Sequence, residues 1–407
     1  MFTQDSIVTF CSAKNYDLRL SGNGRWLDQK CTADVVTVVA DCILNYGLEH
    51  TGDYFTTPDI WHYKYTVENV EAIFMKPGVE HTGAKNEYDK FFQQPMEMLS
   101  YAGVLEKTKR GKRNFYAIAN YDVLEYIALR ERNALFFLKT YIEKVLEDSG
   151  LYGKFDEFFK LQTKGAYDDI KNSFSTFIIS NTKINGVVEC NRIFTKVINT
   201  LAYFKHSCGT EMGRISKHPI TYDMLMYNRN NFRDLYSNKP KGVTRKEYAA
   251  AHPVVVNTAY YSYQSAKAKR YLHLFNDKTR NSKTEHLDGV HEGDNAIHMH
   301  HIFPECDYPE ICYFLENIIA LTPTQHLNYA HPNGHTQEID EQYQHLLLLS
   351  KADRIKENLT NVAQEKIYEF ANLLFVLNVG FDNDDVLEIA DMDFAAVVNA
   401  INIHYAA

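Results

Sequence analysis

A cluster of histidines lies in one stretch of the chain, which runs from Ile297 to His335 and reads IHMHHIFPECDYPEICYFLENIIALTPTQHLNYAHPNGH. The residues from Ile297 to Phe303 alternate in polarity and predict a short strand, and the proline that follows ends it because proline cannot donate to a β-ladder. The apolar run from Leu315 to Leu321 predicts a second strand. Thr322-Pro323 then indicates a helix start, with an N-cap and a first helical residue. The stretch is therefore predicted to fold as strand, strand and helix.

The histidines of this stretch can supply both a metal site and a base. Successive side chains of a strand point to opposite faces, so one of His300 and His301 can bind a metal while the other stays free. His326 on the following helix can complete the metal site beside His300. A divalent ion there stabilises charge on a phosphate and on its leaving oxygen. An imidazole with a pKa of about 6.5 is partly neutral at pH 7, so His301 can take a proton from water. These groups suffice to hydrolyse a phosphodiester.

The same residues resemble the motif of the HNH nucleases, a family with the ββα-metal fold. The motif is an Asp or His, then His, a branched residue, any residue and Pro, and this chain has His300-His301-Ile302-Phe303-Pro304. The Asn of the family corresponds to Asn317, and its next metal ligand, nine positions later, to His326. The resemblance implies that His300 and His326 bind metal, that His301 is the general base, and that Asn317 hydrogen-bonds the loop that orients His301.

The third metal ligand departs from the pattern of many members of the family. Those members have a histidine four residues after the helix ligand, where this chain has Ala330. We expect His331 to be the third ligand, with Asn328 as the alternative. Many members also carry two cysteine pairs for a structural zinc, which Cys306 and Cys312 do not reproduce. A structural zinc site remains the alternative for the whole cluster.

Length and composition indicate an ordinary globular protein. The chain has 407 residues, 45% hydrophobic and 23% charged, which is enough for two or three domains with their own cores. Seven scattered cysteines without paired spacing indicate reduced thiols and a cytoplasmic location. Met1 to Cys11 has no charged n-region and no long apolar run, so we expect no secretory signal. No apolar run approaches the roughly 18 residues of a membrane span, so we expect no membrane partner.

Charge is unevenly distributed along the chain. The net charge of −9 argues at first against a polyanionic partner. From Lys205 to Lys283, however, there are 15 Lys and Arg against 5 Asp and Glu. A basic block directly before the histidine stretch is what a phosphate-binding face needs. A solvated basic surface is the alternative interpretation.

The N-terminal region is predicted to be a winged helix. Helical patterns precede a stretch from Val104 to Ile118 in which two strand-like arms flank a glycine turn. In a winged helix, one helix enters the major groove and the wing contacts the DNA backbone, so a basic tip supplies affinity and not sequence recognition. The candidate for reading bases is Lys76 to Lys90, and a protein-interaction module is the alternative. The predicted DNA-binding residues are those around the tip: Lys107, Lys109, Arg110, Lys112 and Arg113.

The remaining chain is predicted to be helical. One long amphipathic helix is expected from Asp122 to about Leu146, and helices continue through the middle region and after Gly334. The predicted fold class is α+β, mainly helical. It has three parts: an N-terminal winged-helix DNA-recognition domain (1–120), a helical linker and basic DNA-facing region (121–285), and a C-terminal ββα-metal HNH module with a helical tail (286–407).

This combination resembles a type II restriction endonuclease. The resemblance implies metal-dependent hydrolysis of double-stranded DNA, with Mg²⁺ as the expected metal and Mn²⁺, Ni²⁺ or Zn²⁺ as alternatives that suit imidazole ligands. Cutting both strands of a duplex favours a homodimer. The alternatives are a modification-dependent HNH nuclease that reads methylated bases, a nonspecific HNH nuclease, and a winged-helix regulator whose histidines hold a structural zinc.

Overall fold

The computed structural model describes residues 2–82, 84–227, 251, 257–331 and 339–406. These residues are mainly helical and form three two-stranded antiparallel sheets, which confirms the predicted class of α+β, mainly helical. The chain divides into two compact units, Phe2–Asn257 and Thr258–Ala407. The division falls well before residue 285, so residues 258 to 285 belong to the same unit as the histidine stretch. Six residues of the predicted basic block lie outside the described residues: Arg229, Arg233, Lys239, Lys241, Arg245 and Lys246. His335 also lies outside them.

The N-terminal unit is built around one central helix. Residues 33–44 of this helix are all buried, because the segment is apolar on nearly every face. Five of the later helices described in this unit pack against it. The helices of the unit are α1 (Gln4–Ser12), α2 (Leu18–Ser21), the central α3 (Ala33–Glu49), α4 (Thr57–Trp61), α5 (Lys64–Phe74), α6 (Ala84–Ala102), α7 (Tyr121–Leu129), α8 (Glu131–Asp148), α9 (Tyr152–Leu161), α10 (Lys164–Asn181) and α11 (Val187–Phe204). Its strands are β1 (Leu105–Arg110), β2 (Arg113–Ile118), β3 (Cys208–Glu211) and β4 (Arg214–Pro219).

The long helix predicted from Asp122 to Leu146 is wrong, because the chain forms two helices there. Arg130 has an extended backbone (φ −166°, ψ 156°) and separates α7 from α8. The side-chain amide of Asn133 donates to the carbonyl oxygen of Tyr126 at 3.0 Å, which satisfies an acceptor that the end of α7 leaves free. The apolar residues keep helical spacing across this break, so the sequence pattern is the same as that of one uninterrupted helix and does not reveal the break.

The predicted basic hairpin is confirmed. Strands β1 and β2 pair in antiparallel register from Leu105 opposite Ile118 to Arg110 opposite Arg113. A two-residue turn joins them, and its first residue, Gly111, has a φ of 62°, as a type II′ turn requires. Phe55 forms an isolated antiparallel bridge with Tyr116 on the other edge of β2. From α3 to β2 the elements therefore follow one another in this order: the central helix, the bridging residue Phe55, three helices (α4, α5 and α6) and the hairpin.

The C-terminal unit places the histidine stretch between helices. Its first helix, α12 (Thr258–Arg280), packs against both strands of a small sheet, β5 (His298–His301) and β6 (Ile318–Leu321). The predicted helical tail is confirmed. It consists of α13 (Glu341–Thr360), α14 (Phe370–Phe381) and α15 (Phe394–Ala406). None of the helices described in either unit combines the length and the apolar character needed to cross a bilayer.

A buried ion pair connects the small sheet to the tail. Glu285 is 3% exposed and accepts a hydrogen bond from the backbone N–H of Ala320 in β6 at 2.8 Å. Its carboxylate also lies 3.3 Å from Lys351 Nζ in α13, and Lys351 in turn donates to the hydroxyl of Tyr368 at 2.8 Å. Because each charge has a partner, the pair can be held in the core and fixes β6 against the tail.

Candidate metal centre

The strand β5 places two neighbouring histidines at the edge of one cavity. His300 pairs with Ile319 and His301 with Ile318 in β6, and both histidines are buried. The predicted strand from Ile297 to Phe303 is therefore confirmed over a shorter range. The second predicted strand begins later than expected, because the residues from Leu315 to Asn317 form a 3-10 turn before β6. Both histidines line a cavity of about 270 Å³.

The helix after β6 begins where the sequence predicts. Thr322 Oγ1 accepts a hydrogen bond from the N–H of Gln325 at 3.2 Å, and the helix begins at the next residue, Pro323, so the predicted N-cap is confirmed. The Gln325 side chain holds this helix start to the chain before β5. Its amide donates to the carbonyl of His286 at 3.0 Å and to Asp288 Oδ2 at 2.9 Å, and accepts from Thr284 Oγ1 at 2.6 Å.

The helix is not a regular α-helix. Residues Gln325–Ala330 form a π-helical turn, whose hydrogen bonds join residues five apart instead of four. His331 follows this turn directly and is buried. The wider turn explains why His331, five residues after His326, reaches the cluster. Asn328, the alternative third ligand, has an exposed side chain.

Three histidines converge in the cavity. The candidate ligand atoms of His300, His326 and His331 all lie within 4.8 Å of one another. Their ring centroids are 5.1 Å apart for His300 and His326, 4.9 Å for His300 and His331, and 4.8 Å for His326 and His331. Two nitrogens bound to one ion at about 2.1 Å each are at most about 4.2 Å apart. The ligand atoms, which are up to 4.8 Å apart here, must therefore move slightly closer together to bind a metal.

The histidine cluster fits a metal on chemical grounds as well. His300 Nε2 and His326 Nδ1 are buried and have no hydrogen-bond partner in the described part of the chain. Burial, reinforced by the neighbouring histidines, lowers the pKa of His300 well below its usual value, and burial lowers the pKa of His326 to about 4. Both rings are therefore neutral at pH 7, which is the form of imidazole that binds metals.

His301 is oriented by its hydrogen bonds as a proton acceptor. Its Nε2 lies 2.8 Å from the carbonyl oxygen of Cys312 and 3.2 Å from Ser265 Oγ. Because a carbonyl can only accept, Nε2 carries the proton and Nδ1 keeps a lone pair. Nδ1 lies 3.9 Å from Glu305 Oε2. Burial, followed by the positive charge of Lys269, lowers the pKa of His301 to about 4, so this ring is also neutral at pH 7.

Asn317 holds together the loop between the two strands. Its Oδ1 accepts from the N–H of Phe303 at 2.8 Å, and its Nδ2 donates to the carbonyls of Phe303 at 3.0 Å and Ile311 at 3.3 Å. The residue is completely buried. Cys312, whose carbonyl contacts His301, comes directly after Ile311. Asn317 therefore bonds the residue directly before the one whose carbonyl contacts His301.

The predicted DNA-binding residues lie in the N-terminal unit and do not share one face. Side chains alternate along a strand, so Lys107 and Lys109 lie on one face of the hairpin and Arg110 and Arg113 on the other. Lys107 Nζ lies 2.6 Å from Glu97 and is already paired. The Arg110 guanidinium lies 4.9 Å from the ring centroid of Tyr54 and 5.0 Å from that of Phe115.

The rest of this predicted interface is mixed. Lys109, Lys112 and Arg113 are exposed, and Lys112 is in the turn itself. In the candidate base-reading segment, Lys76 is only 6% exposed and pairs with Glu87 at 3.2 Å, so its side chain is directed inward. His81, Lys85, Asn86 and Lys90 of that segment have exposed side chains.

Sequence analysis missed several residues at the site. Lys269 in α12 and Glu305 after the motif proline line the cavity. Ser265, also in α12, contacts His301 Nε2 but does not line the cavity. None of these residues belongs to the histidine motif. The one sequence feature that indicated them was the block of basic residues directly before the histidine stretch. Comparison of the chain with family models, with curated proteins and with solved structures finds no match.

Proposed function

We propose that this chain is a metal-dependent endonuclease that hydrolyses phosphodiester bonds in double-stranded DNA, of the type II restriction class. One observation carries the proposal: three convergent imidazoles and a fourth imidazole, oriented as a proton acceptor, line the same cavity. Metal ligation and proton transfer are the two functions that phosphodiester hydrolysis requires. The resemblance to the HNH motif assigns the same roles to His300, His326 and His301.

The chain's own groups can be given definite tasks. His300, His326 and His331 would hold the ion, which when bound stabilises negative charge on a phosphate. His301 Nδ1 takes a proton from the attacking water, since its lone pair is the free one. The carbonyl of Cys312 keeps the His301 ring in this tautomer. Asn317 positions that carbonyl through the loop it holds.

The donor set narrows the choice of metal. The cluster contains three histidines and, among the described residues, no carboxylate or thiolate joins them. Mg²⁺ prefers oxygen ligands and waters, whereas neutral imidazole suits zinc, nickel and other transition metals. We therefore place Mn²⁺, Ni²⁺ or Zn²⁺ ahead of Mg²⁺ as the ion that the cluster binds.

The open cavity favours a catalytic site over a structural one. Structural zinc sites are closed by four protein ligands, whereas catalytic sites have three and leave a position for water or substrate. In the described residues the group consists of three histidines, and the cavity beside them extends to His301 and Glu305. A winged-helix regulator with a structural zinc is therefore the weaker candidate.

The N-terminal unit supports DNA as the substrate. We propose that α3 to β2 is a winged helix and that the exposed cations around its turn, Lys109, Arg110, Lys112 and Arg113, contact backbone phosphates. Tyr54 and Phe115 restrict the Arg110 side chain, so less rotamer entropy is lost when it binds. Cleavage of both strands requires two such sites, and we propose a homodimer.

Cleavage of supercoiled plasmid tests the function directly. The wild-type protein, freed of metal by chelation and then loaded with Mg²⁺, Mn²⁺, Ni²⁺ or Zn²⁺, should give discrete bands. His301→Ala should reduce cleavage by about 10² to 10⁴-fold, the usual contribution of a general base, while it retains DNA and metal binding. His345→Ala is the matched control, because this histidine bonds Asn402 in the tail and does not line the cavity.

The products distinguish the remaining classes of protein. A smear in place of bands indicates a nonspecific nuclease, and plasmid that stays intact with every metal indicates a regulator. Parallel digests of methylated and unmethylated plasmid separate a restriction enzyme from a modification-dependent nuclease. Normal cleavage by His301→Ala would show that another group accepts the proton.

A further inference from the structure

A lysine from outside the motif lines the cavity beside the histidines. Lys269 lies in α12, one helical turn after Ser265, so both side chains are on the same face of that helix. Ser265 reaches His301 Nε2 at 3.2 Å, which brings this face of α12 directly against the cluster. Lys269 lines the same cavity as His300, His301, His326 and His331.

Lys269 brings a positive charge to the cavity that the candidate ligands and the candidate base line. Its side chain is partly buried, and burial lowers the pKa of Lys269 itself. A buried cation costs free energy unless an anion compensates for it, and the charge of nearby Glu305 does so only in part.

Within the described part of the chain, no hydrogen bond or ion pair reaches Lys269 Nζ. The nearby carboxylate, Glu305, is held by α12 through other groups, since Ser262 donates to its Oε1 at 3.1 Å and Ser265 to its Oε2 at 2.9 Å. Lys351, a buried lysine of the same unit, is by contrast paired with Glu285 and Tyr368. The three donors of the Lys269 ammonium are thus available to a ligand in the cavity.

We propose that Lys269 and the histidine cluster form a phosphate-binding site, in which Lys269 Nζ binds a non-bridging oxygen of the phosphate to be cleaved. The assignment of that phosphate to DNA rests on the proposed function. A tetrahedral dianion such as inorganic phosphate satisfies the same requirement, because it offers oxygens to both the ammonium and a metal on the three imidazoles. The charge on those oxygens grows during the attack of water, so Lys269 binds the transition state more tightly than the substrate.

The test compares four proteins: wild type, Lys269→Met, Lys269→Arg and Lys267→Met. The methionine variant keeps the aliphatic stem and removes the charge, and the arginine variant restores a cation. Lys267 is the matched control from the same helix, where its Nζ lies 5.0 Å from the ring centroid of Tyr263 and it does not line the cavity. Thermal unfolding confirms that each variant is folded, and calorimetric titration with Mn²⁺ and Zn²⁺ confirms that each binds metal.

Two readouts follow on the metal-loaded proteins. Calorimetric titration with inorganic phosphate should show binding by wild type and Lys267→Met, at least tenfold weaker binding by Lys269→Met, and recovery in Lys269→Arg. In plasmid cleavage, Lys269→Met should lose about 10² to 10³-fold in kcat, as expected for removal of one donor to a developing oxyanion. If Lys269 had only a structural role, phosphate affinity would not fall in Lys269→Met and recover in Lys269→Arg while metal affinity stayed constant.

The two readouts separate this inference from the proposed function. If wild type binds phosphate through Lys269 but cuts no DNA, the phosphate site stands and the nuclease proposal fails. If wild type cuts DNA and Lys269→Met binds phosphate and cuts as wild type does, the phosphate site is refuted and the nuclease proposal stands. Equal phosphate binding by wild type and Lys269→Met refutes the inference whatever the cleavage result.

Discussion

Replacement of Asn317 by alanine tests how the loop supports the base. The substitution removes three hydrogen bonds, to the N–H of Phe303 (2.8 Å), the carbonyl of Phe303 (3.0 Å) and the carbonyl of Ile311 (3.3 Å). Each bond contributes about 1 kcal/mol net, and more where the partner that remains is buried without water. We therefore expect Asn317→Ala to lower the free energy of unfolding by roughly 3 kcal/mol.

The effect on cleavage should exceed the effect on stability. Without Asn317, the loop no longer fixes the Cys312 carbonyl that lies 2.8 Å from His301 Nε2. The His301 ring then samples other orientations, so kcat should fall at a temperature where the variant is still fully folded. Urea unfolding followed by circular dichroism gives the free energy, and plasmid cleavage with saturating metal gives kcat.

Asn358→Ala is the matched control for this experiment. Asn358 is also buried in the C-terminal unit and holds a chain segment, donating to the carbonyl of Glu365 at 2.8 Å and accepting from the N–H of Ile367 at 3.0 Å. Its loss should cost roughly 2 kcal/mol of stability and leave kcat unchanged. The reasoning fails if Asn317→Ala loses less than about 1 kcal/mol, or if both variants cleave equally well.

Two further predictions concern the wing and the pH dependence of stability. Arg110→Ala combined with Lys112→Ala should weaken DNA binding and reduce the slope of log K against log salt concentration by about 2. Lys107→Ala should change the slope less, because Lys107 is paired with Glu97. Binding titrations from 50 to 200 mM salt measure the slopes, and equal slopes for wild type and the double variant would show that the turn does not contact DNA. His301 has a folded-state pKa lowered to about 4, below the roughly 6.5 of the unfolded chain, so the unfolded state binds more protons and stability is lost as pH falls from 6.5 towards 4. Between pH 7 and pH 4.5 the loss attributable to this group is about 2 kcal/mol. Urea unfolding with chelator at these two pH values should show that His301→Gln loses less stability than wild type by that amount. A variant with the wild-type pH dependence would contradict the assignment.

The elements that follow from local patterns could be predicted from the sequence. The hairpin at Leu105–Ile118, the N-cap at Thr322 and the helical tail each depend on residues that are neighbours in the chain. The break at Arg130 could not be predicted, since the apolar stripe continues across it. Lys269 and Ser265 were also missed as site residues, because only the packing of α12 against β5 and β6 brings Lys269 to the cavity and Ser265 to His301.

The third histidine shows why a ligand spacing depends on the type of helix that carries it. In an α-helix, residues four apart share a face, and by that rule the partner of His326 is Ala330, which has no ligand atom. The π-helical turn at Gln325–Ala330 accommodates one additional residue, so the position five residues on returns to the same face. His331 occupies this position, with ligand atoms within 4.8 Å of those of His300 and His326. The mismatch in sequence spacing is thus compensated by the backbone, and it does not count against a three-histidine centre.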